Sequence, residues 1–145
     1  MKKAMTEQQT MIETNVGSLA VRERGEGRPA VLWHSLFMDE RSWERVEEDL
    51  SAERRLVLIT GPGHGASADP GRRYTMEECA AAAATVLDVL GISEPVDWVG
   101  NAWGGHVGVI FAPTSPHGAG RWYSGHPNGH APNRQTGDPP LISAR

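Results

Sequence analysis

The chain has 145 residues, enough for one domain with its own core, and carries 14 Lys and Arg against 18 Asp and Glu for a net charge of −4. That acidic balance argues against a nucleic-acid binder, which shows a basic face, and no apolar run is long enough to cross a bilayer. Met1-Lys2-Lys3-Ala4-Met5-Thr6 has no apolar stretch behind its lysines, so it does not read as a signal peptide, and the lone Cys79 excludes an internal disulfide and suits a cytoplasmic setting.

Residues 1–10 are expected to be a flexible lead. Met11-Ile12-Glu13-Thr14 and Leu19-Ala20-Val21-Arg22-Glu23 alternate apolar and polar around the turn residues Asn15-Val16-Gly17-Ser18, the pattern of an edge hairpin. After a loop over 25–29, Ala30-Val31-Leu32-Trp33 is almost wholly apolar, as in a strand covered on both faces. Trp43, Val46 and Leu50 recur at spacings of three and four and predict one face of a short helix over 42–50. Residues 56–59 predict a second buried strand. Thr75-Met76-Glu77-Glu78 has the form of a capping box. The helix it opens runs through the alanines at 80–84, where Cys79 reads as a small buried hydrophobe, and stops at Gly91, a natural cap. Val96-Asp97-Trp98-Val99 predicts a third strand, and 106–112 the start of another helix. Strands alternating with helices predict an α/β fold, a parallel sheet with helices on both faces.

Between the third strand and its helix lies Gly100-Asn101-Ala102-Trp103-Gly104-Gly105. The pattern G-x-S-x-G sets a nucleophilic serine on a tight strand-to-helix turn. The glycines fall at those offsets, but the central residue is Ala102. A methyl group has no lone pair to attack a carbonyl and no proton to give a base. Upstream, the first buried strand runs into His34-Ser35-Leu36-Phe37-Met38, and the second into Gly61-Pro62-Gly63-His64-Gly65-Ala66-Ser67.

Three motifs in this order and at these spacings resemble the α/β-hydrolase family: the H-G-x loop that supplies an oxyanion-hole N–H, the D-x-P-G-x-G-x-S turn, and the nucleophile elbow. The resemblance covers 11 to about 112. It departs at Ser35, where glycine is common, and at Gly61, where an acidic or polar residue is common. It implies a partial α/β-hydrolase sheet, an N-terminal hairpin plus parallel strands with flanking helices, truncated after the elbow helix. The further strands, lid, acidic triad member and late histidine of the family have no room here. Full-length relatives cleave esters, related acyl bonds or C–C bonds.

By position, the resemblance puts Ala102 at the nucleophile site and the backbone N–H groups of Leu36 and Trp103 in the oxyanion hole. Gly100, Gly104, Gly105 and His34 serve the structure of elbow and loop. His64 and Ser67 read as turn residues. His106 is not placed like a triad base, and Asp97 precedes the elbow and is no triad acid by chain order. Trp33, Trp43, Trp98 and Trp103 read as core or pocket wall. The expectation is a chain without triad-dependent hydrolysis, related to a small apolar or acyl substrate class, with no nucleic acid, membrane, cofactor or metal. The reading from another class is a non-enzymatic α/β domain that binds a small ligand or a partner chain.

From 113 to 145 there are six prolines and five glycines, and the only large aliphatics are Leu141 and Ile142. One reading is an irregular or disordered tail. A metal site from His117, His126 and His130 is a second, without an acidic or cysteine ligand at a recognisable spacing. The third and favoured reading is out-of-frame translation. Shifting the degenerate codons of 117–127 by two bases permits Arg-Cys-Arg-Ser-Leu-Val-Leu-Gly-Thr-Pro, which looks like the strand expected after the elbow helix. On this view the strand at 96–99 is left without its next neighbour, an exposed edge in an incomplete sheet.

Overall fold

A computed structural model describes residues 8–118 and 120–125. The hairpin forms from β1 (Gln8–Thr14) and β2 (Gly17–Arg24), paired antiparallel with Thr14 opposite Gly17. Gly17 takes φ 96°, a conformation that a side chain resists. The two predicted buried strands are β3 (Arg28–Trp33) and β4 (Arg54–Ile59), and the third is β5 (Asp97–Asn101). With β6 (Trp122–Gly125) they make one sheet in the order β1-β2-β4-β3-β5-β6. The hairpin joins antiparallel through β2 and β4, and the remaining pairs are parallel.

Alternation along the parallel strands sorts the core into two layers. Val31, Trp33, Val57, Ile59 and Trp98 meet α2 (Met76–Val89) and α3 (Trp103–Thr114) on one face. Ala30, Leu32, Leu56 and Leu58 meet Trp43 and Leu50 on the other, which carries α1 (Glu44–Ser51). Helix α2 is bounded as its sequence foretells. The Thr75–Glu78 capping box is closed in both directions. At the far end Gly91 lies at φ 72°, with Ile92 N–H donating to Leu87 O and Gly91 N–H to Asp88 O, the paired bonds of a Schellman cap.

Two expectations need correction. Trp43, Val46 and Leu50 were to be the inner face of the short helix. Trp43 is buried, but it closes a 3-10 turn (Glu40–Trp43), and Val46 is 42% exposed. The buried residues of α1 are Ser51 and Glu47, the latter paired with Arg22 and, at 3.7 Å, with Arg24. A buried carboxylate persists only when paired, and a pattern that counts every charge as outward misses it.

Regular structure also continues past Ala112. Helix α3 takes Pro113 into its last turn, and β6 pairs parallel with β5, from Trp98 opposite Trp122 to Asn101 opposite Gly125. The strand before the elbow therefore has its neighbour and is not an exposed edge. The chain as read supplies the strand that the shifted reading frame was invoked to supply. Counting large aliphatics missed it because a short strand is held by backbone pairing and favours aromatics. Glycine matters here: a Cβ at Gly118 would collide with the Ala112 carbonyl, and one at Gly120 with the Val96 carbonyl. The run 126–145, with His126 and His130, lies outside the described residues.

Candidate active site

The sharp turn between β5 and α3 is built around a strained residue. Ala102 sits at φ 48°, ψ −105°, one of two non-glycine residues with positive φ among those described. Such a backbone costs of the order of 1–3 kcal/mol and persists only where its surroundings enforce it. Those surroundings are the flanking glycines. A Cβ on Gly100 would run into the backbone of Gly104 and Gly105, and one on Gly104 would strike the carbonyl of Trp33. The Trp98 indole N–H donates to Gly104 O at 2.9 Å, and His106 N–H to Ala102 O at 3.1 Å, which starts the helix. The elbow thus keeps its backbone, and what it presents is a half-buried methyl.

Beside it lie the loops after β3 and β4, joined through two histidines. His34 is fully buried. Its Nε2 accepts the Gly61 N–H at 2.9 Å, so the ring proton is on Nδ1, which donates to Ser35 O at 2.7 Å. Burial holds the His34 imidazole below its ordinary pKa, keeping it neutral. His64 mirrors it: Nε2 accepts the Phe37 N–H at 2.9 Å and Nδ1 donates to Pro62 O at 2.8 Å. The Trp103 indole packs against both, its centroid 5.6 Å from His34 and 5.1 Å from His64. It also explains Gly61, since any Cβ there would overlap the Trp103 ring. Phe37 is the second strained residue, at φ 65°, and is 92% exposed; Leu36 and Met38 flank it half-exposed. The N–H groups of Leu36 and Trp103 donate to no acceptor among the described residues.

The structure therefore brings Ala102, Trp103, Leu36 and His34 to one end of the sheet, with Gly100, Gly104 and Gly105 beneath. Other residues singled out from sequence lie elsewhere. Ser67 is buried in its turn, accepting the Ala20 N–H and donating to Thr60 O. His106 is exposed on the first turn of α3. His117 is buried, facing Asp88 Oδ1 at 3.1 Å and Glu94 O at 3.3 Å. No group of three metal-ligating side chains occurs among the described residues. Cys79 is buried, which pushes its thiol up to about 12 and leaves it protonated at neutral pH.

Asp97 begins β5 at the opposite end of the sheet and is 1% exposed. Arg28 reaches it at 3.1 Å, Arg54 pairs with its second oxygen, and the Arg121 N–H donates to it at 2.8 Å. One carboxylate thus ties β3, β4 and the lead into β6. Sequence reading missed this cluster and the Phe37–His64 bond. A signal existed for the first: Arg28, Arg54 and Asp97 each stand at the first residue of a strand.

The profile of the Alpha/beta hydrolase family matches residues 30–144. Among curated proteins, a 2-hydroxy-6-oxo-2,4-heptadienoate hydrolase from Pseudomonas putida is 34% identical over 110 residues, 73% of this chain and 38% of that protein. Among solved structures, an N-acyl homoserine lactonase complexed with N-hexanoyl homoserine is 31% identical with a TM-score of 0.73, over 84% of this chain and 46% of that one. A hydrolase from Pseudomonas aeruginosa is 26% identical with a TM-score of 0.75, over 81% and 45%. The chain spans less than half the length of each of these relatives. No helix among the described residues is long and apolar enough to cross a membrane.

Proposed function

This chain belongs to the alpha/beta hydrolase family, and on that premise we propose that it is a hydrolase scaffold that holds an acyl-type ligand without turning it over. The observation that carries this reading is the strained backbone at Ala102: the elbow geometry is retained where the nucleophile is absent. The reading assigns Leu36 and Trp103 as the two backbone donors to a carbonyl or carboxylate oxygen. Such donors need no particular side chain, so they outlast the loss of serine. His34 and the elbow glycines keep the donors in place. The exposed Leu36, Phe37 and Met38 supply an apolar rim suited to an acyl chain, and a related structure holding N-hexanoyl homoserine supports that ligand class. A cytoplasmic setting goes with the reading, resting on the single buried cysteine.

Inactivity follows from chemistry. Nucleophile, acid and base act as a unit, so loss of any one removes most of the rate. Within these 145 residues the order nucleophile, acid, histidine is not met, because Asp138, the only acid after Ala102, follows the last histidine, His130. The test is release of p-nitrophenol from short esters by the purified chain. The expected rate is background, and Ala102→Ser alone leaves it there. Turnover by the unmodified chain that survives substitution of its exposed histidines contradicts the proposal.

A further inference from the structure

We propose that His34 and His64 form a reciprocal clasp, each ring accepting a backbone N–H from the other's loop, and that His64 is the positioning residue that fixes the Leu36 donor beside the elbow. The geometry is symmetric. His34, on the loop after β3, takes the Gly61 N–H from the loop after β4; His64, on the loop after β4, takes the Phe37 N–H from the loop after β3. Each ring is pinned by its own Nδ1–H to a nearby carbonyl, Ser35 O or Pro62 O. Pro62 O also receives the Tyr74 hydroxyl at 3.2 Å, which anchors the His64 side to the segment before α2.

The two halves are not equivalent. The His34 bond is sealed in the core, whereas the His64 bond sits in a half-buried ring under an exposed, strained Phe37. A phenylalanine at φ 65° with its side chain in water gains nothing from burial. What holds it are its N–H bond to His64, a tilted ring contact with the same imidazole at 6.3 Å, and the Met38 N–H to Ser35 O bond beside it. Leu36 lies one residue away, so the direction of its N–H follows the Phe37 tether. Trp103, the other donor, packs its ring on His64, but its N–H is set by the backbone of α3 and not by that tether. The clasp requires both Nε2 atoms unprotonated, because a protonated ring nitrogen cannot accept an N–H. The titratable groups around the His64 ring are His34, with ring centroids 5.3 Å apart, Tyr74 through Pro62, and Asp39, which lies against the adjoining Gly65.

The consequence for Leu36 rests on the binding reading above; the clasp itself does not. Amide hydrogen exchange on the full chain, followed by NMR, tests the clasp without a ligand. The Phe37 protection factor is expected to fall about tenfold in His64→Ala, the loss of one hydrogen bond. It is expected to persist in His64→Gln, whose amide oxygen can accept the same N–H. Unchanged protection in His64→Ala, or protection lost equally in His64→Gln, overturns the clasp. If His64→Ala loses its amide dispersion, the comparison of His64→Gln with the unmodified chain decides. Addition of N-hexanoyl homoserine then tests positioning. In His64→Ala the shift at the Trp103 amide should remain while that at Leu36 is lost; a Leu36 response equal to that of the unmodified chain overturns the role. Silence at both amides in the unmodified chain contradicts the binding reading, and the exchange data still decide the clasp.

Discussion

The two ends of the sheet are held by opposite means. At the end where β5 begins, the buried Asp97 carboxylate gathers two partly exposed arginines and a backbone N–H, a charged knot joining three strands. At the end where β5 finishes, the loops are joined by two histidines and close-packed glycines, and the two non-glycine positive-φ residues among those described lie there. The difference has a physical logic. Charge-assisted pairs bind adjacent strands strongly. The histidine clasp binds loops instead, and strain is stored where a site is to be presented. One end knits the sheet together; at the other, the Leu36 and Trp103 N–H groups meet no acceptor among the described residues.

The comparison predicts where substitutions hurt stability and where they do not. Asp97→Ala should have the largest effect, about 2–4 kcal/mol, because it removes the buried acceptor shared by Arg28, Arg54 and the Arg121 N–H, less than a wholly buried pair would cost since both arginines reach solvent. Chemical denaturation should show it, with loss of β6 amide protection as its local sign. Gly104→Ala comes next, at about 1–3 kcal/mol or more, since its methyl must displace the Trp33 carbonyl. Ala102→Gly should go the other way. Relief of about 1–3 kcal/mol of backbone strain, less the entropy of the added glycine, about 0.5–1 kcal/mol, leaves the protein more stable by about 1 kcal/mol, read as a higher melting temperature. A loss of stability there would mean that Ala102 is not strained and that the two ends differ less than they appear to.

The smallest effect is with pH. Burial lowers the folded-state pKa of His34 below its ordinary 6.5. The unfolded state then binds the proton more tightly, so this residue's contribution is complete above about 6.5 and is lost as pH falls towards the folded value. Denaturation midpoints at pH 7 and pH 5 should differ in that direction, and the difference should shrink in His34→Gln.

What sequence made legible was local. The capping box, the Gly91 cap, the alternating strands and the elbow glycines are all set by residues within a few positions of one another. What it hid was non-local. Glu47 faces inward only because Arg22, 25 residues away, is there to meet it. Phe37 meets His64 across 27 positions and Arg28 meets Asp97 across 69, separations that no periodicity encodes. The segment after the elbow helix was misjudged for a related reason. A strand of four residues is specified by the neighbour it pairs with, and its own composition gave little sign of it.

A retained elbow that binds without reacting should show itself in solution. The most direct measurement is an NMR titration of the full chain with N-hexanoyl homoserine, following backbone amides and the ligand's own acyl signals together. Saturable shifts centred on Leu36 and Trp103 are expected, with the ligand recovered intact. Shifts that avoid both amides, or cleavage of the acyl bond, would contradict it.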